Sequence, residues 1–152
     1  MNTNNYKPAK YRIEVDEKIC ALCQSCALFC SMDKWSEVSP ELGCMDIDID
    51  YFNGQIHFST CSQCVSPSCV AVCPVGAIKY DDERGCYAID QEDCIGCGLC
   101  ASACPKHAIS FNKAKRKSAK CNNCGICVEV CPEHAIKLVQ IDKNGRVVKA
   151  KK

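Results

Sequence analysis

The chain has 152 residues, a formal net charge of +1, and 18 cysteines. That length holds one ordinary domain or two small ones, and the near-zero charge excludes a polyanion as partner of the bulk surface. Residues Met1 to Lys10 are polar, with no apolar run behind them and no twin-arginine pair. A secreted disulfide scaffold is therefore not expected. Nor does any window approach the ~18 apolar residues of a membrane span. We expect a cytoplasmic chain in a reducing compartment, its thiols committed to metal. With one Trp and four Phe, its core should be held by metal as much as by burial.

In chain order, residues 1–10 are expected to lie loose at the surface. Tyr11-Arg12-Ile13-Glu14-Val15 alternates and predicts a strand. Cys20-x2-Cys23-x2-Cys26-x3-Cys30 follows, with Ser31 next to it, and Met32 to Glu41 is expected to be partly helical up to the Ser39-Pro40 turn signal. Met45 to Phe58 predicts a hairpin through a two-residue Asn53-Gly54 turn. Its stripe of Asp46, Asp48 and Asp50 suits a solvent face better than a cation site. The second run is Cys61-x2-Cys64-x4-Cys69-x3-Cys73-Pro74, with Pro67 in its longer loop. Short strands are expected at 77–80 and 86–90. Next comes Cys94-x2-Cys97-x2-Cys100-x3-Cys104-Pro105, then Ala108 to Phe111. The last run, Cys121-x2-Cys124-x2-Cys127-x3-Cys131-Pro132, precedes Ala135 to Leu138. A turn at 143–146, a short strand at 147–148 and a frayed lysine-rich end are expected to close the chain.

The spacing C-x2-C-x2-C-x3-C-P is the one bacterial ferredoxins use to hold a [4Fe–4S] cluster. A tetrahedral zinc site wants two cysteine pairs with a long spacer between them. The first three thiolates should sit on a tight loop, where Gly96 and Gly98 let the backbone bend. The fourth is expected to open a short helix and to ligate the neighbouring cluster. Amides freed by Gly96, Gly98 and Gly125 are candidate donors to cluster sulfur. Cys-Pro-x-x-Ala-Ile recurs at 73–78, 104–109 and 131–136, so the chain repeats internally. Four quartets imply four clusters and leave Cys44 and Cys86 as small hydrophobes. No substrate pocket is evident, so a relay is expected and not an enzyme. His107 and His134 occupy equivalent repeat positions and suit a structural or solvent-facing role; His57 has no assigned function. The run Lys113, Lys115, Arg116, Lys117 and Lys120 is either a solvated loop or a surface that docks an acidic partner or offsets cluster charge. It lacks the interleaved aromatics of a nucleic-acid site. Trp35 would anchor a partner or cover a cluster.

This order of runs, with C-x2-C-x4-C-x3-C-P in second place, resembles the four-cluster electron-transfer subunits of the DMSO reductase iron–sulfur family. Relatives of those subunits serve formate dehydrogenases, hydrogenases and tungsten aldehyde oxidoreductases. The resemblance covers about residues 11–140. It implies an α+β fold of tandem ferredoxin-like dicluster modules with pseudo-twofold symmetry, short helices and small antiparallel hairpins. One module would use 11–60 plus 107–140 and the other 61–106, between a flexible 1–10 and a C-terminal hairpin or tail at 141–152. One cluster would take Cys20, Cys23, Cys26 and Cys131, and its neighbour Cys121, Cys124, Cys127 and Cys30. In the second module the sets would be Cys61, Cys64, Cys69 and Cys104, and Cys94, Cys97, Cys100 and Cys73. The implied partners are a large tungsten- or molybdenum-containing catalytic subunit, a ferredoxin or flavin-containing redox subunit, and further copies of the chain, with neither nucleic acid nor membrane insertion. The absence of a long insertion in the fourth run or an anchor-facing extension favours a soluble partner of the tungsten aldehyde oxidoreductase type. A formate dehydrogenase, hydrogenase or aromatic-ring-reducing partner stays open. So does a free-standing polyferredoxin, although free carriers are usually strongly acidic. An iron–sulfur sensor would need a reader for which the chain has no room.

Overall fold

A computed structural model describes residues 6–150. Its elements are short because each cysteine run interrupts regular structure. In order they are β1 (Tyr11–Val15), α1 (Ser25–Trp35), a 3-10 turn (Pro40–Leu42), β2 (Met45–Asp50), β3 (Gln55–Thr60), α2 (Ser68–Val72), β4 (Ile78–Asp81), β5 (Cys86–Ile89), α3 (Leu99–Ala103), β6 (Ser110–Asn112), β7 (Lys117–Ala119), α4 (Ile126–Val130), β8 (Ile136–Ile141) and β9 (Val147–Ala150). Strands β1, β8 and β9 form one antiparallel sheet, and β2–β3, β4–β5 and β6–β7 are separate hairpins.

The β1–β8 pairing sets Ile13 opposite Leu138 and Val15 opposite Ile136, so the two ends of the chain share one sheet. Beneath it α1 packs on α4, while α2 packs on α3. One core gathers Ile13, Ala27, Trp35, Met45, Ala119 and Ile136. A second gathers Ile78, Cys100 and Ile109. Trp35 is buried and its indole N–H donates to the Leu42 carbonyl at 3.0 Å. Of its two expected roles, the exposed partner anchor is excluded.

The hairpins share one turn chemistry. Asp50 Oδ1 accepts the N–H groups of Phe52 and Asn53 at 2.9 and 3.3 Å. Asp81 Oδ1 does the same for Glu83 and Arg84, and Asp142 Oδ1 for Asn144 and Arg146. In β6–β7 the cap is Asn112, which accepts from Lys115. An Asx side chain that satisfies the turn amides fixes the reversal, and a left-handed residue closes each one: Gly54, Gly85, Arg116 and Gly145. This corrects the two-residue turn expected at Asn53-Gly54. The loop runs over residues 51–54, because Asp50 organises a longer reversal that the Gly54 N–H closes on the Asp50 carbonyl. Asp46 and Asp48 do face solvent. The expected loose N-terminus falls partly outside the described residues, at 1–5, as does the end of the lysine-rich tail, at 151–152. Residues 6–10 run against β4–β5. There Lys10 N–H donates to the Gly85 carbonyl, Tyr80 Oη donates to the Pro8 carbonyl, and Tyr6 meets the Tyr87 ring edge-on.

Helix length follows from one residue. Cys73, Cys104 and Cys131 precede prolines and take extended ψ values of 114, 117 and 114°, as a residue before proline is driven to do. The helices before them stop there. This reverses the expectation that the fourth cysteine opens a helix: α2, α3 and α4 each end at it. After Cys30 stands Ser31, so α1 continues to Trp35 and ends at left-handed Ser36. Ser31 is fully buried; its hydroxyl donates to the Leu28 carbonyl at 2.7 Å and accepts the Ser39 N–H at 3.0 Å.

Candidate metal centres

The residues on either side of the second cysteine of a run adopt left-handed backbone. They are Leu22 and Gln24, Gly96 and Gly98, and Asn123 and Gly125; in the second run Gln63 does so alone. Such alternation turns successive N–H groups toward one side and forms an anion-binding concavity, a geometry common at iron–sulfur sites. Gly96 has a further constraint: a Cβ there would lie 1.9 Å from the Arg116 carbonyl oxygen of the β6–β7 turn.

After the fourth cysteine the repeat performs a second task. Gly76, His107 and His134 are left-handed, and each aims the next amide back at the fourth sulfur. Ala77, Ala108 and Ala135 N–H donate to Cys73, Cys104 and Cys131 Sγ at 3.2, 3.4 and 3.3 Å. The alanines and the isoleucines after them are buried, which accounts for the recurring Ala-Ile. Both histidines are exposed and serve the turn. In the first run α1 uses the corresponding amide for itself, and the Cys44 N–H donates to Cys30 Sγ instead, at 3.3 Å.

Cysteines distant in sequence meet. One cavity is lined by Cys20, Cys23, Cys26 and Cys131. A second is lined by Cys61, Cys64, Cys69 and Cys104, and a third by Cys73, Cys94, Cys97 and Cys100. Cys127 is pushed up in pKa by burial first and then by Cys121, Cys124 and Cys30, which places those four together. Among the described residues no three Cys, His, Asp or Glu side chains converge tightly enough for a single metal ion. The quartets are gathered at a wider spacing, around cavities. In the third cavity the buried Ser118 hydroxyl has no hydrogen-bond partner, so a donor there awaits an acceptor. Cavities ringed by four thiols and edged with inward N–H groups fit the corners and sulfurs of an iron–sulfur cube.

Burial raises the Cys26 and Cys69 thiols to about 11 and Cys121 to about 12. Iron must therefore displace protons from them. Two fourth-position cysteines behave oppositely. Cys30 is lowered to about 6, chiefly because the Cys44 side chain hydrogen-bonds to it, and Cys44 is correspondingly held protonated. Cys73 is lowered although burial opposes it, since the N–H groups of Ala77, Val75, Ile78 and Gly76 surround its sulfur. Cys86 is fully buried and raised to about 11 by burial. Small buried side chains describe both leftover cysteines, but Cys44 also serves Cys30.

The basic run divides. Lys113, Lys115 and Arg116 are exposed, and Lys115 pairs with Glu37 at 3.1 Å. Lys117 donates to the carbonyls of Gln91 and Cys94. Lys120 is only 4% exposed and lines the cavity of Cys61, Cys64, Cys69 and Cys104. Its Nζ donates to Gln63 Oε1 at 3.2 Å and to the carbonyls of Tyr87 and Cys121. Burial opposes its charge, and the nearby sulfurs of Cys61, Cys69, Cys86 and Cys121 outweigh that opposition.

Comparison with known proteins agrees with this geometry. Residues 60–108 and 87–138 each match a 4Fe-4S dicluster domain. The chain is thus an iron–sulfur protein of the ferredoxin-like dicluster class, and two such domains with 18 cysteines carry four [4Fe–4S] clusters. It belongs to the family of iron–sulfur electron-transfer subunits typified by that of anaerobic dimethyl sulfoxide reductase. It is 32% identical over 126 residues to the thiosulfate reductase electron transfer subunit PhsB of Salmonella typhi, covering 77% of this chain and 64% of that one. It is 35% identical over 123 residues to a tetrathionate reductase subunit of Archaeoglobus fulgidus, covering 74% and 54%. It is 33% identical over 115 residues to the uncharacterized ferredoxin-like protein YdhY of Escherichia coli K12, covering 66% and 55%. The chain thus spans a little over half the length of these relatives. The match over 87–138 reads the third and fourth runs as one consecutive unit. In the structure the helix of the fourth run packs on that of the first, a pairing that local sequence cannot express. No helix among the described residues is long and apolar enough to cross a membrane.

Proposed function

We propose that the chain is the electron-transfer subunit of a larger oxidoreductase, carrying four [4Fe–4S] clusters and no catalytic site of its own. The observation that carries this reading is the set of cavities each ringed by three cysteines of one run and one from a distant run. The ligand sets are Cys20, Cys23, Cys26 and Cys131; Cys121, Cys124, Cys127 and Cys30; Cys61, Cys64, Cys69 and Cys104; and Cys94, Cys97, Cys100 and Cys73. Two modules related by a pseudo-twofold follow, 11–60 with 107–140 and 61–106. The packing of α1 on α4 and of α2 on α3 supports the division.

Each bound cluster supplies one-electron chemistry. The chain holds the thiolates, shields them from water and sets potential through N–H bonds to sulfur. Eighteen unbridged cysteines favour the cytoplasm. The partner is a large catalytic subunit containing molybdenum or tungsten, with ferredoxin or a flavin subunit at the other end. The names of the relatives support a reductase of the DMSO, thiosulfate or tetrathionate kind, and a tungsten aldehyde oxidoreductase is the alternative. Anaerobic capture of the native protein with metal analysis tests this. Molybdenum or tungsten on a co-eluting large chain, with about sixteen irons per copy of this one, is expected. The same iron on a lone small protein would leave a free polyferredoxin.

A further inference from the structure

We propose that the Lys120 ammonium is a fixed buried cation shared by the clusters on either side of it, and that it raises the reduction potential of both. The inference rests on the ligand sets proposed above. Lys120 lines the cavity of the Cys61, Cys64, Cys69 and Cys104 set. It immediately precedes Cys121, the first ligand of the other set, and its Nζ returns to the Cys121 carbonyl at 3.3 Å. Its remaining acceptors are the Gln63 amide and the Tyr87 carbonyl, so it has no carboxylate. A buried charge held only by neutral acceptors is costly, and the compensating negative charge comes from the thiolates and their clusters. Gln63 fastens the arrangement, since its Nε2 donates to the same Cys121 carbonyl at 3.2 Å.

A cluster that gains an electron becomes more negative, and a nearby fixed cation favours that state. One electron passes from the reduced cluster to the oxidised one across Lys120, with no bond made and no proton moved. Because the cation serves both, donor and acceptor shift together and the step between modules stays close to level.

The test uses the full chain reconstituted anaerobically, with iron counted and each couple followed by EPR-monitored redox titration. Lys120→Met should keep about sixteen irons and lower two of the four couples at least tenfold in reduction equilibrium constant, about 59 mV for one electron. The other two should not move. Lys120→Arg should restore the wild-type values. Gln63→Glu, which sets a carboxylate against the ammonium, should lower the same two couples; it decides the matter if Lys120→Met fails to load. Unmoved couples in both variants, equal movement of all four, or a shift in Lys120→Arg matching that of Lys120→Met would overturn the inference. Fewer than four clusters in the wild type would overturn the ligand assignment beneath it. Four clusters with unmoved potentials would sink the inference alone.

Discussion

At the scale of single residues, the site depends on which group donates to each fourth cysteine. Three runs use the amide four residues on, positioned by Pro74, Pro105 or Pro132 and a left-handed residue. Cys30 receives instead two donors from Cys44, its amide at 3.3 Å and its thiol. Donors to cluster sulfur raise potential. Cys44→Ala should therefore keep full iron, because the amide remains, while lowering the midpoint of one couple in an EPR-monitored titration. A variant whose four couples all match wild type would show that the thiol does nothing. The ligand cysteines were legible in the sequence because their spacing is local. Cys44 was not, because its partner lies 14 residues away and the contact exists only where proline is missing. Gln63 and Asn123 were illegible for a related reason. Each holds a left-handed position where glycine is the obvious signal, and each commits its amide side chain to a distant carbonyl.

At the scale of elements, α1 is the one helix among the described residues longer than five residues, and the cause is Ser31. Ser31→Pro should drive Cys30 out of the helical region, as proline does to the cysteines before it elsewhere. It would also remove the Ser31 bonds to Leu28 and Ser39 and leave Trp35 without its seat. Proline inside a helix costs about 3 kcal/mol; a thermal melt of the loaded protein should register that loss, and an unchanged melt would refute the role given to Ser31. The hairpins carry a pH dependence of their own. Asp50 and Asp142 are held below the usual carboxylate range, Asp50 chiefly by the Asn53 side-chain amide and Asp142 by the Arg146 amide. A depressed folded value means the carboxylate stabilises the turn fully above its unfolded pKa of about 3.9. That stabilisation is lost as pH falls through the lower folded value. Amide exchange at Asn144 and Arg146 should thus be slow at neutral pH and accelerate on acidification below about pH 4, whereas Asp142→Ala should be fast throughout. Strands 11–15, 45–50 and 55–60 were readable from alternation. The β6–β7 hairpin was not, because its three-residue strands are too short to alternate and its turn is the basic run itself.

For the whole molecule, the sequence is folded back so that its first run meets its last, and the metal is the joint. Few large apolar groups are buried in either core, and many of the buried side chains are cysteines themselves. A chain of this kind draws much of its folding free energy from ligation. Removing iron with a chelator under mild oxidation should lower thermal stability sharply and release protons on reloading, because Cys26, Cys69 and Cys121 return to thiols near pKa 11, 11 and 12. Reloading should accordingly be favoured as pH rises toward those values. The joint can be cut selectively. Cys131 brings the fourth run to the cavity of Cys20, Cys23 and Cys26, so Cys131→Ala should cost one cluster, about four irons. Limited proteolysis should then cut first between α1 and β2, where the N-terminal part loses its tie to α4 and β8. The clusters proposed on the second and third runs, whose cysteines lie on other loops, should keep their signals. Loss of all four clusters together would mean that the two modules fold as one, and retention of all four would mean that Cys131 is not a ligand.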